Sequence, residues 1–228
     1  MDNLKDDAYY AKRILKNIEV LTRYLAGKSQ DDLLNDGYLC DAIENRFTKL
    51  SEDASKLSKD LKDSLSSIPW NAIYSIRNRI CHDYDVVDAP TLYKTVKVNF
   101  PVFRQAILDV LPHHEMNLFH EPFLAISEGR KSIEMRLNDE KRRLLKLGDL
   151  IIFKDKETGT EILAEVEELS AYKDFHKLYL NYTKTSIGYR PDETANPDDM
   201  LLYYSKDAIE KWGALAIGIK IYKTPRCT

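Results

Sequence analysis

Residues 10–25, with the sequence YAKRILKNIEVLTRYL, decide the fold of the first half of the chain. Their apolar side chains recur every three or four residues, which is the spacing of one face of an α-helix. These positions are Tyr10, Ile14, Ile18, Leu21 and Leu25. Gly27 follows where helices commonly stop, so the pattern predicts one amphipathic helix that ends there.

The same periodicity continues along the rest of the first half. A second apolar series predicts one helix, or two nearly collinear helices, with a single buried face. Its members are Leu39, Ile43, Phe47, Leu50, Ala54, Leu57 and Leu61. Pro69 suits the first turn of a further helix that runs to about His82. Asp88 is the expected N-cap of a last helix, which runs to about Leu111 and which Pro101 should kink. Residues 1–113 are therefore predicted to form an all-α helical bundle.

In the second half of the chain, the sequence pattern is typical of strands and not of long helices. In the segment 131–137, apolar and polar residues take turns, which predicts a half-exposed strand with a charged face. Short apolar strands are also predicted at 150–153, 161–169 and 215–221, with a short helix near Phe175, a polar surface loop over 181–199, and a helix capped by Ser205. The predicted fold class is α+β with two domains, residues 1–113 and residues 114–228.

Composition narrows the class of protein. The formal charge of −3 over 228 residues excludes a broad electrostatic grip on nucleic acid, so any contact with it must be local. No apolar run is long enough for a membrane span, and the N-terminus lacks the apolar segment of a secretory signal. Cys40, Cys81 and Cys227 lie far apart, which argues against a disulfide framework or a zinc site. We expect a cytoplasmic protein with no metal and no cofactor.

One candidate site lies in residues 75–88, SIRNRICHDYDVVD. His82 can move protons near neutral pH and Arg77 can clamp a phosphate, which suffices for RNA cleavage by the 2′-hydroxyl without a metal. An ideal helix aligns Arg77 with Tyr84 to within about 20° but places His82 about 140° away. Either the helix breaks near His82, or the site is shared across a dimer. The alternative is a structural helix end with a dipole-stabilised histidine and a salt-bridged arginine.

This segment resembles the motif region of HEPN toxins, which are helical-bundle endoribonucleases, often dimeric, paired with a nucleotidyltransferase (MNT) antitoxin. Arg77, His82 and Tyr84 match the Arg-x4-His-x-Tyr pattern of the MNT-linked branch. Residues 51–57 resemble the family's Gly-Glu-Ala-x-x-x-Leu stretch, with Ser51 in place of the glycine, and imply Glu52 as a polar partner in the site. The resemblance implies Arg77 and His82 as catalytic residues, and Tyr84 as a site-shaping group or as an acceptor of AMP.

A second candidate site lies in residues 129–139, GRKSIEMRLND, followed by the turn at Gly148 and Asp149. Lys131, Glu134 and Arg136 form a compact cation–carboxylate–cation set that suits phosphate or nucleobase recognition. Glu134 and Arg136 share one strand face, whereas Lys131 is expected to precede the strand. The alternative is a solvated strand with an exposed ion pair, worth at most about 1 kcal/mol.

This stretch resembles the ASCH domain, a PUA-like β-barrel, through Gly129, Lys131, Arg136 and the Gly148-Asp149 turn. The resemblance implies RNA contacts by Arg130, Lys131, Glu134 and Arg136. It also implies that Glu167, Glu168, Tyr172 and Phe175 line the opposite side of a cleft, although helix core is the alternative for the two aromatic residues. Some members hydrolyse acylated cytidine with a Lys and a Thr three residues on, but Glu134 stands in the position of that Thr.

The combined interpretation is an RNA-acting protein, most simply a metal-independent endoribonuclease whose ASCH-like domain binds or selects RNA. Its expected partners are RNA, a second copy of the helical domain and an MNT antitoxin. A non-catalytic RNA-binding and dimerisation module is one alternative, and an amidohydrolase of acylated cytidine is another. His113, His114, Glu115 and His120 fit no standard metal-ligand spacing and are interpreted as solvated linker residues.

Overall fold

The computed structural model describes residues 6–82 and 89–221. Their contacts separate two units, one that ends at Leu111 and one that spans Pro112–Ile221. The helices described in the first unit are α1 (Asp7–Tyr24), α2 (Gln30–Asn35), α3 (Gly37–Ser55), α4 (Lys59–Ser64), α5 (Trp70–His82), α6 (Ala89–Lys94) and α7 (Phe100–Val110). The predicted helical domain is confirmed.

The first predicted helix is α1. Its N-cap is Asp6, whose side chain accepts a hydrogen bond from the Tyr9 amide. Past its end, Gly27 adopts a φ of 68°, a backbone conformation that favours glycine. The apolar series that begins at Leu39 forms two helices, α3 and α4, because Ser58 caps a new helix after Leu57. The two-helix alternative is therefore the observed one.

Pro101 lies in the first turn of α7, within helical chain that is continuous from Ala89 to Val110. Between α6 and α7 the chain forms a π-helical segment, Thr95–Asn99. Proline has no amide hydrogen and its ring clashes with the carbonyl four residues earlier, so an uninterrupted α-helix would be strained at this point. The wider π turn accommodates both effects. The sequence pattern predicted a kink, and the structure places a change of helix type there.

The elements of the second unit are β1 (His113–Leu118), α8 (His120–Ser127), β2 (Ile133–Leu137), β3 (Leu150–Asp155), β4 (Glu161–Tyr172), α9 (Phe175–Tyr179), α10 (Lys206–Trp212) and β5 (Ala214–Ile221), with 3₁₀ turns at Arg142–Leu144 and Pro197–Leu202. The strand order is β1-β3-β4-β5-β2. β1 pairs with β3 in parallel, and the other pairs are antiparallel. The sheet curls into a half-barrel, with β1 and β2 as its two edges.

Two apolar clusters fill this unit. One contains Met116, Phe123, Ile151, Phe153 and Ile217, and joins β1, α8 and the centre of the sheet. The other contains Met135, Phe175, Leu178 and Ile187, and joins β2 to α9 and to the 181–199 loop. That loop was predicted to lie on the surface, but the buried Ile187 makes it part of the second core.

The strand β1 and the helix α8 were not predicted. Residues 113–121 resembled a polar linker because β1 buries only Met116 and Leu118 and presents polar residues on its other positions. The histidines within this segment pair with carboxylates at the two ends of β3. His114 Nε2 lies 2.9 Å from Asp149 Oδ2, and His120 Nδ1 lies 2.8 Å from Asp155 Oδ2. The interpretation as solvated linker residues was therefore wrong, because these histidines tie β1 and α8 to β3.

Candidate functional site

A cleft of about 570 Å³ opens in the second unit, where the half-barrel does not close. Edge strand β1 and the residue after it supply Asn117, Leu118 and Phe119, and edge strand β2 supplies Glu134, Met135 and Arg136. The remaining wall comes from the start of α8, the 181–199 loop and the 3₁₀ turn at Pro197–Leu202 with the residues after it. The topology thus brings the charged residues of the predicted second site to the seam of the sheet.

The side chain of Glu134 is the centre of this cleft. Its Oε2 lies 2.9 Å from Lys131 Nζ, and its Oε1 lies 2.7 Å from Arg136 Nε. Glu134 and Lys131 are 3% and 8% exposed, so the predicted half-exposed face of β2 is in fact withdrawn from bulk water. Burial alone would raise the pKa of Glu134, but the charges of Lys131 and Arg136 outweigh it and lower that pKa. The carboxyl group is therefore ionised.

Arg136 spans the open seam. Besides its ion pair with Glu134, its Nη2 donates to the backbone carbonyl of Asn117 at 2.9 Å, so the side chain links the two edge strands. Tyr204 lies beside it and stacks on Phe175, with ring centroids 5.7 Å apart. Burial lowers the pKa of Arg136, but Glu134 and Tyr204 raise it overall. The guanidinium is thus a fixed positive charge in the cleft wall.

Lys131 precedes β2, as predicted. Its side chain passes close to Gly188 on the way to Glu134. Gly188 has a φ of 117°, and a Cβ built on it would lie 3.1 Å from Lys131 Cδ. Ser186 anchors the same loop, because its carbonyl accepts from the amides of Ser132 and Ile133. A side chain at position 188 would strain the backbone and crowd Lys131. Gly188 therefore leaves room for the Lys131 side chain that pairs with Glu134.

A hydrogen-bonded tyrosine wall closes one side of the cleft and was not predicted. The hydroxyls of Tyr179 and Tyr189 lie 3.1 Å apart, and Tyr189 donates to Asp199 Oδ2 at 2.6 Å. Burial and then the bond to Asp199 raise the pKa of Tyr189, which keeps it a hydrogen-bond donor. Tyr189 is one of two tyrosines in the loop over 181–199, and its position in the sequence gives no spatial information.

The four residues expected opposite Lys131 do not line the cleft. Glu167 and Glu168 are exposed on β4, and Glu167 Oε1 pairs with Lys220 at 2.7 Å. Phe175 is 1% exposed and belongs to the second core, and Tyr172 packs against that core. The core alternative is therefore the observed one for both aromatic residues. Arg130 does line the cleft, at its rim, where its Nε lies 2.6 Å from Glu128 Oε2.

In the helical unit, α5 carries Arg77 and ends at His82. The Arg77 guanidinium lies on the surface, 3.3 Å from the side-chain oxygen of Asn78. Tyr84, the proposed N-cap Asp88, and the side chains of Cys81 and His82 lie outside the described residues.

Glu52 on α3 is exposed, whereas its neighbour Asp53 is 1% exposed. Asp53 accepts two hydrogen bonds from Arg13 Nε, at 2.9 and 3.0 Å, and one at 3.5 Å from Asn17 Nδ2. This network links α1 to α3. The resemblance pointed to Glu52, and no pattern in the sequence marked Asp53.

Two kinds of feature are absent from the described residues. Over residues 6–82 and 89–221, no group of three or more His, Cys, Asp or Glu side chains is arranged to hold a metal ion. Among those same residues, no helix is both long and apolar enough to cross a bilayer.

The fold and the cleft define a two-domain α+β protein, a helical domain followed by a curled β domain with a charged seam. Residues 14–110 match the family model described as "Ribonuclease HepT-like", and residues 116–223 match the model of the ASCH domain. The chain is a fusion of a HepT-like domain and an ASCH domain.

Curated relatives match part of the chain. "Gamma-glutamylcyclotransferase and putative RNase MJ0434" of Methanocaldococcus jannaschii is 26% identical over 50% of this chain and 51% of its own length. "Putative RNase TTE0752" of Caldanaerobacter subterraneus subsp. tengcongensis is 24% identical over 47% of this chain and 96% of its own. "Probable ribonuclease HepT" of Thermococcus cleftensis is 27% identical over 40% of this chain and 84% of its own. The chain spans about half the length of the first of these relatives.

Proposed function

We propose that this chain is an RNA-acting protein whose HepT-like domain is a metal-independent endoribonuclease and whose ASCH domain binds the RNA. The observation that carries the proposal is the match of residues 14–110 to the ribonuclease HepT-like model, because that span contains both Arg77 and His82. The printed names of the three relatives above, each of which contains the word RNase or ribonuclease, support the same reaction class.

The proposed chemistry needs only groups of the chain and of RNA itself. His82 takes the proton of a 2′-hydroxyl, whose oxygen attacks the adjacent phosphorus. The bond to the 5′-oxygen breaks, and that oxygen receives a proton from an imidazolium. The products are a 2′,3′-cyclic phosphate and a 5′-hydroxyl. Arg77 holds the phosphate and stabilises its developing charge. Glu52 is included as an exposed polar partner, and Tyr84 as a site-shaping group or an acceptor of AMP.

The geometry of α5 favours a site built from two copies of the chain. Arg77 and His82 both belong to this helix, and positions five residues apart on a helix differ by about 140°. A homodimer through the helical domain would let Arg77 of one copy act with His82 of the other. We also include a nucleotidyltransferase antitoxin as a partner and the cytoplasm as the location, where such a nuclease would meet RNA.

In the ASCH domain, the support is the buried Lys131–Glu134–Arg136 set at the seam. Three charges that are withdrawn from water and face a cleft can recognise a ligand with both an anionic group and a hydrogen-bond donor. An RNA nucleotide has both, a phosphate for the cations and an exocyclic amine for Glu134. Arg130 at the rim adds a further cation for the backbone.

The test is cleavage of total RNA by the full chain in the presence of EDTA, compared with His82→Ala and with the matched control Arg79→Ala. We expect His82→Ala to lose about 10²–10⁴-fold in rate. Arg79 is exposed on the same helix and is absent from the proposed site, so its variant should retain activity. Product ends should be cyclic phosphates. Equal rates for wild type and His82→Ala, or cleavage abolished by EDTA, would refute the nuclease proposal.

A further inference from the structure

Three large apolar side chains at the mouth of the cleft are left open to solvent. Phe119 is 51% exposed, Leu202 is 83% exposed and Tyr203 is 47% exposed, and all three line the cleft. We call Phe119 and Tyr203 the aromatic rim; their ring centroids lie 5.6 Å apart with the planes tilted by 50°. Exposed apolar groups gathered around a charged cleft are typical of a ligand site.

The backbone around Phe119 is held in place from both sides. The carbonyl of the preceding residue, Leu118, accepts a hydrogen bond from the Lys156 amide at 3.0 Å. The following residue, His120, pairs with the buried carboxylate of Asp155. Phe119 itself is the N-cap of α8. Its exposure therefore does not come from a loose segment.

Tyr203 is equally well anchored. It follows the 3₁₀ turn at Pro197–Leu202, whose Met200 is buried in the second core. The carbonyl of Met200 accepts from the amides of Tyr203 and Tyr204, at 3.1 and 3.0 Å. Tyr204 in turn stacks on Phe175 inside the domain. Both rings of the aromatic rim are thus presented on fixed backbone, which lowers the entropic cost of binding a ligand against them.

A cation accompanies the rim. Lys156 Nζ lies 4.0 Å from the centroid of the Phe119 ring. In the ranges 6–82 and 89–221, no carboxylate lies within ion-pair distance of this ammonium, so its charge is available to a ligand. An aromatic face beside an unneutralised cation matches a nucleobase and its phosphate, which are likewise adjacent.

We propose that the aromatic rim stacks one base of single-stranded RNA, that Lys156 contacts the phosphate next to it, and that the neighbouring nucleotide enters the cleft toward Glu134. This inference rests on the proposed function of the ASCH cleft and adds a second recognition site outside it. A protein partner would also cover apolar groups, but the cation on the rim and the continuity with the charged seam favour RNA. Stacking of this kind is tolerant of base identity.

The experiment is fluorescence anisotropy with a short single-stranded RNA, using the full chain with His82→Ala to prevent cleavage. We expect Phe119→Ala and Tyr203→Ala each to weaken binding by roughly five- to a hundredfold, and Phe119→Trp to restore it. An RNA that lacks one base should lose the sensitivity to Phe119→Ala. Lys156→Ala should lower the salt dependence of log Kd by about one phosphate contact.

The matched control is Leu180→Ala, because Leu180 is an apolar residue of the same domain that is 78% exposed and does not line the cleft. If Lys131→Ala weakens binding while the Phe119 and Tyr203 variants, including the milder Phe119→Leu, stay within twofold of the parent, the rim proposal is wrong and the cleft proposal stands. If the parent does not bind RNA at all, the proposed function of the ASCH domain fails. Binding of a protein in place of RNA at the rim would also overturn the inference.

Discussion

Asp53 in the helical domain and Glu134 in the ASCH domain are both almost fully buried and both pair with arginine. Their surroundings differ. The side chain of Arg13, the partner of Asp53, is 48% exposed and keeps about half of its contact with water. Both cations around Glu134 are largely buried, and all three charges face a cleft of about 570 Å³.

This difference separates a structural carboxylate from a candidate binding site. Desolvation of several charges at once costs free energy that their mutual attraction only partly offsets. A half-exposed partner such as Arg13 avoids most of that cost. In the ASCH domain, three charges are desolvated together at a place where a ligand can enter. This arrangement favours a role in binding over a role in stability. Burial of an acidic residue is therefore informative only together with the exposure of its partners and the presence of a cavity.

The largest effect on this comparison should come from Glu134→Ala. The change leaves Lys131 and Arg136 without their shared carboxylate, and loss of one member of a buried charge pair costs about 3–5 kcal/mol. We expect the free energy of unfolding of the ASCH domain to fall by that amount. Urea unfolding measures it through the fluorescence of Trp212 in a Trp70→Phe background, because the two tryptophans lie in different domains.

The control for this variant is the same measurement through Trp70 in a Trp212→Phe background. The urea concentration at the midpoint of the unfolding of the helical domain should not change. A loss below about 1 kcal/mol in the Trp212 transition would show that the two cations regain water without Glu134, and that the cleft is more open than its side-chain exposures indicate.

A smaller effect is expected for Asp53→Asn. Asparagine keeps the shape of the side chain and one acceptor, while Arg13 can turn into water, so the cost should be about 1–3 kcal/mol. The loss should appear in the Trp70 transition and leave the Trp212 transition unchanged. Arg13→Ala should cost more than Asp53→Asn, because it leaves the buried carboxylate of Asp53 without its cation, whereas the change at Asp53 leaves only a half-exposed arginine. The reverse order would contradict the assignment of Asp53 as the buried member of the pair.

The sequence predicted elements far better than it predicted contacts. The apolar spacing in α1, α3 and α5 reports the buried face of each helix directly, because burial is periodic along a helix. Strand β1 was not predicted, because only two of its six residues are buried and the rest are polar. Lys131, Glu134 and Arg136 were found because they are close in sequence. Tyr179, Tyr189, Tyr204 and Asn117 were missed because only the curled sheet brings them to the same cleft.

Asp155 is a buried carboxylate that pairs with a histidine, so its contribution to stability should depend on pH. The contacts of Asp155 are with His120, Thr158 and the Glu157 amide. Burial raises the pKa of Asp155, but these donors lower it overall to about 2, and the bond to Asp155 raises the pKa of His120. The carboxylate therefore stabilises the fold above about pH 4 and loses that effect as the pH falls toward 2. The histidine stabilises it below about pH 6.5 and loses that effect as the pH rises through its raised pKa.

The two limits define a window between about pH 4 and 6.5 in which the pair contributes most. We expect the difference in Tm between wild type and Asp155→Asn to be largest inside this window and to shrink on both sides. Glu134→Gln should lack the decline on the alkaline side, since no imidazole lies in that set and Arg136 stays charged. The Tm difference for Asp155→Asn could instead stay constant from pH 5 to 9. That result would show that Asp155 does not stabilise the protonated form of His120.

The smallest effect is expected for Lys220→Ala, which removes the cation from a 2.7 Å ion pair with Glu167. Both side chains are more than half exposed, so water and salt screen the attraction and the chain entropy of two long side chains opposes it. The change in the free energy of unfolding should stay within about 0.5 kcal/mol, measured through Trp212 as for Glu134→Ala. A loss of stability comparable to that of Glu134→Ala would contradict the comparison. The contribution of an ion pair to stability would then depend on its short distance and not on the burial of both partners.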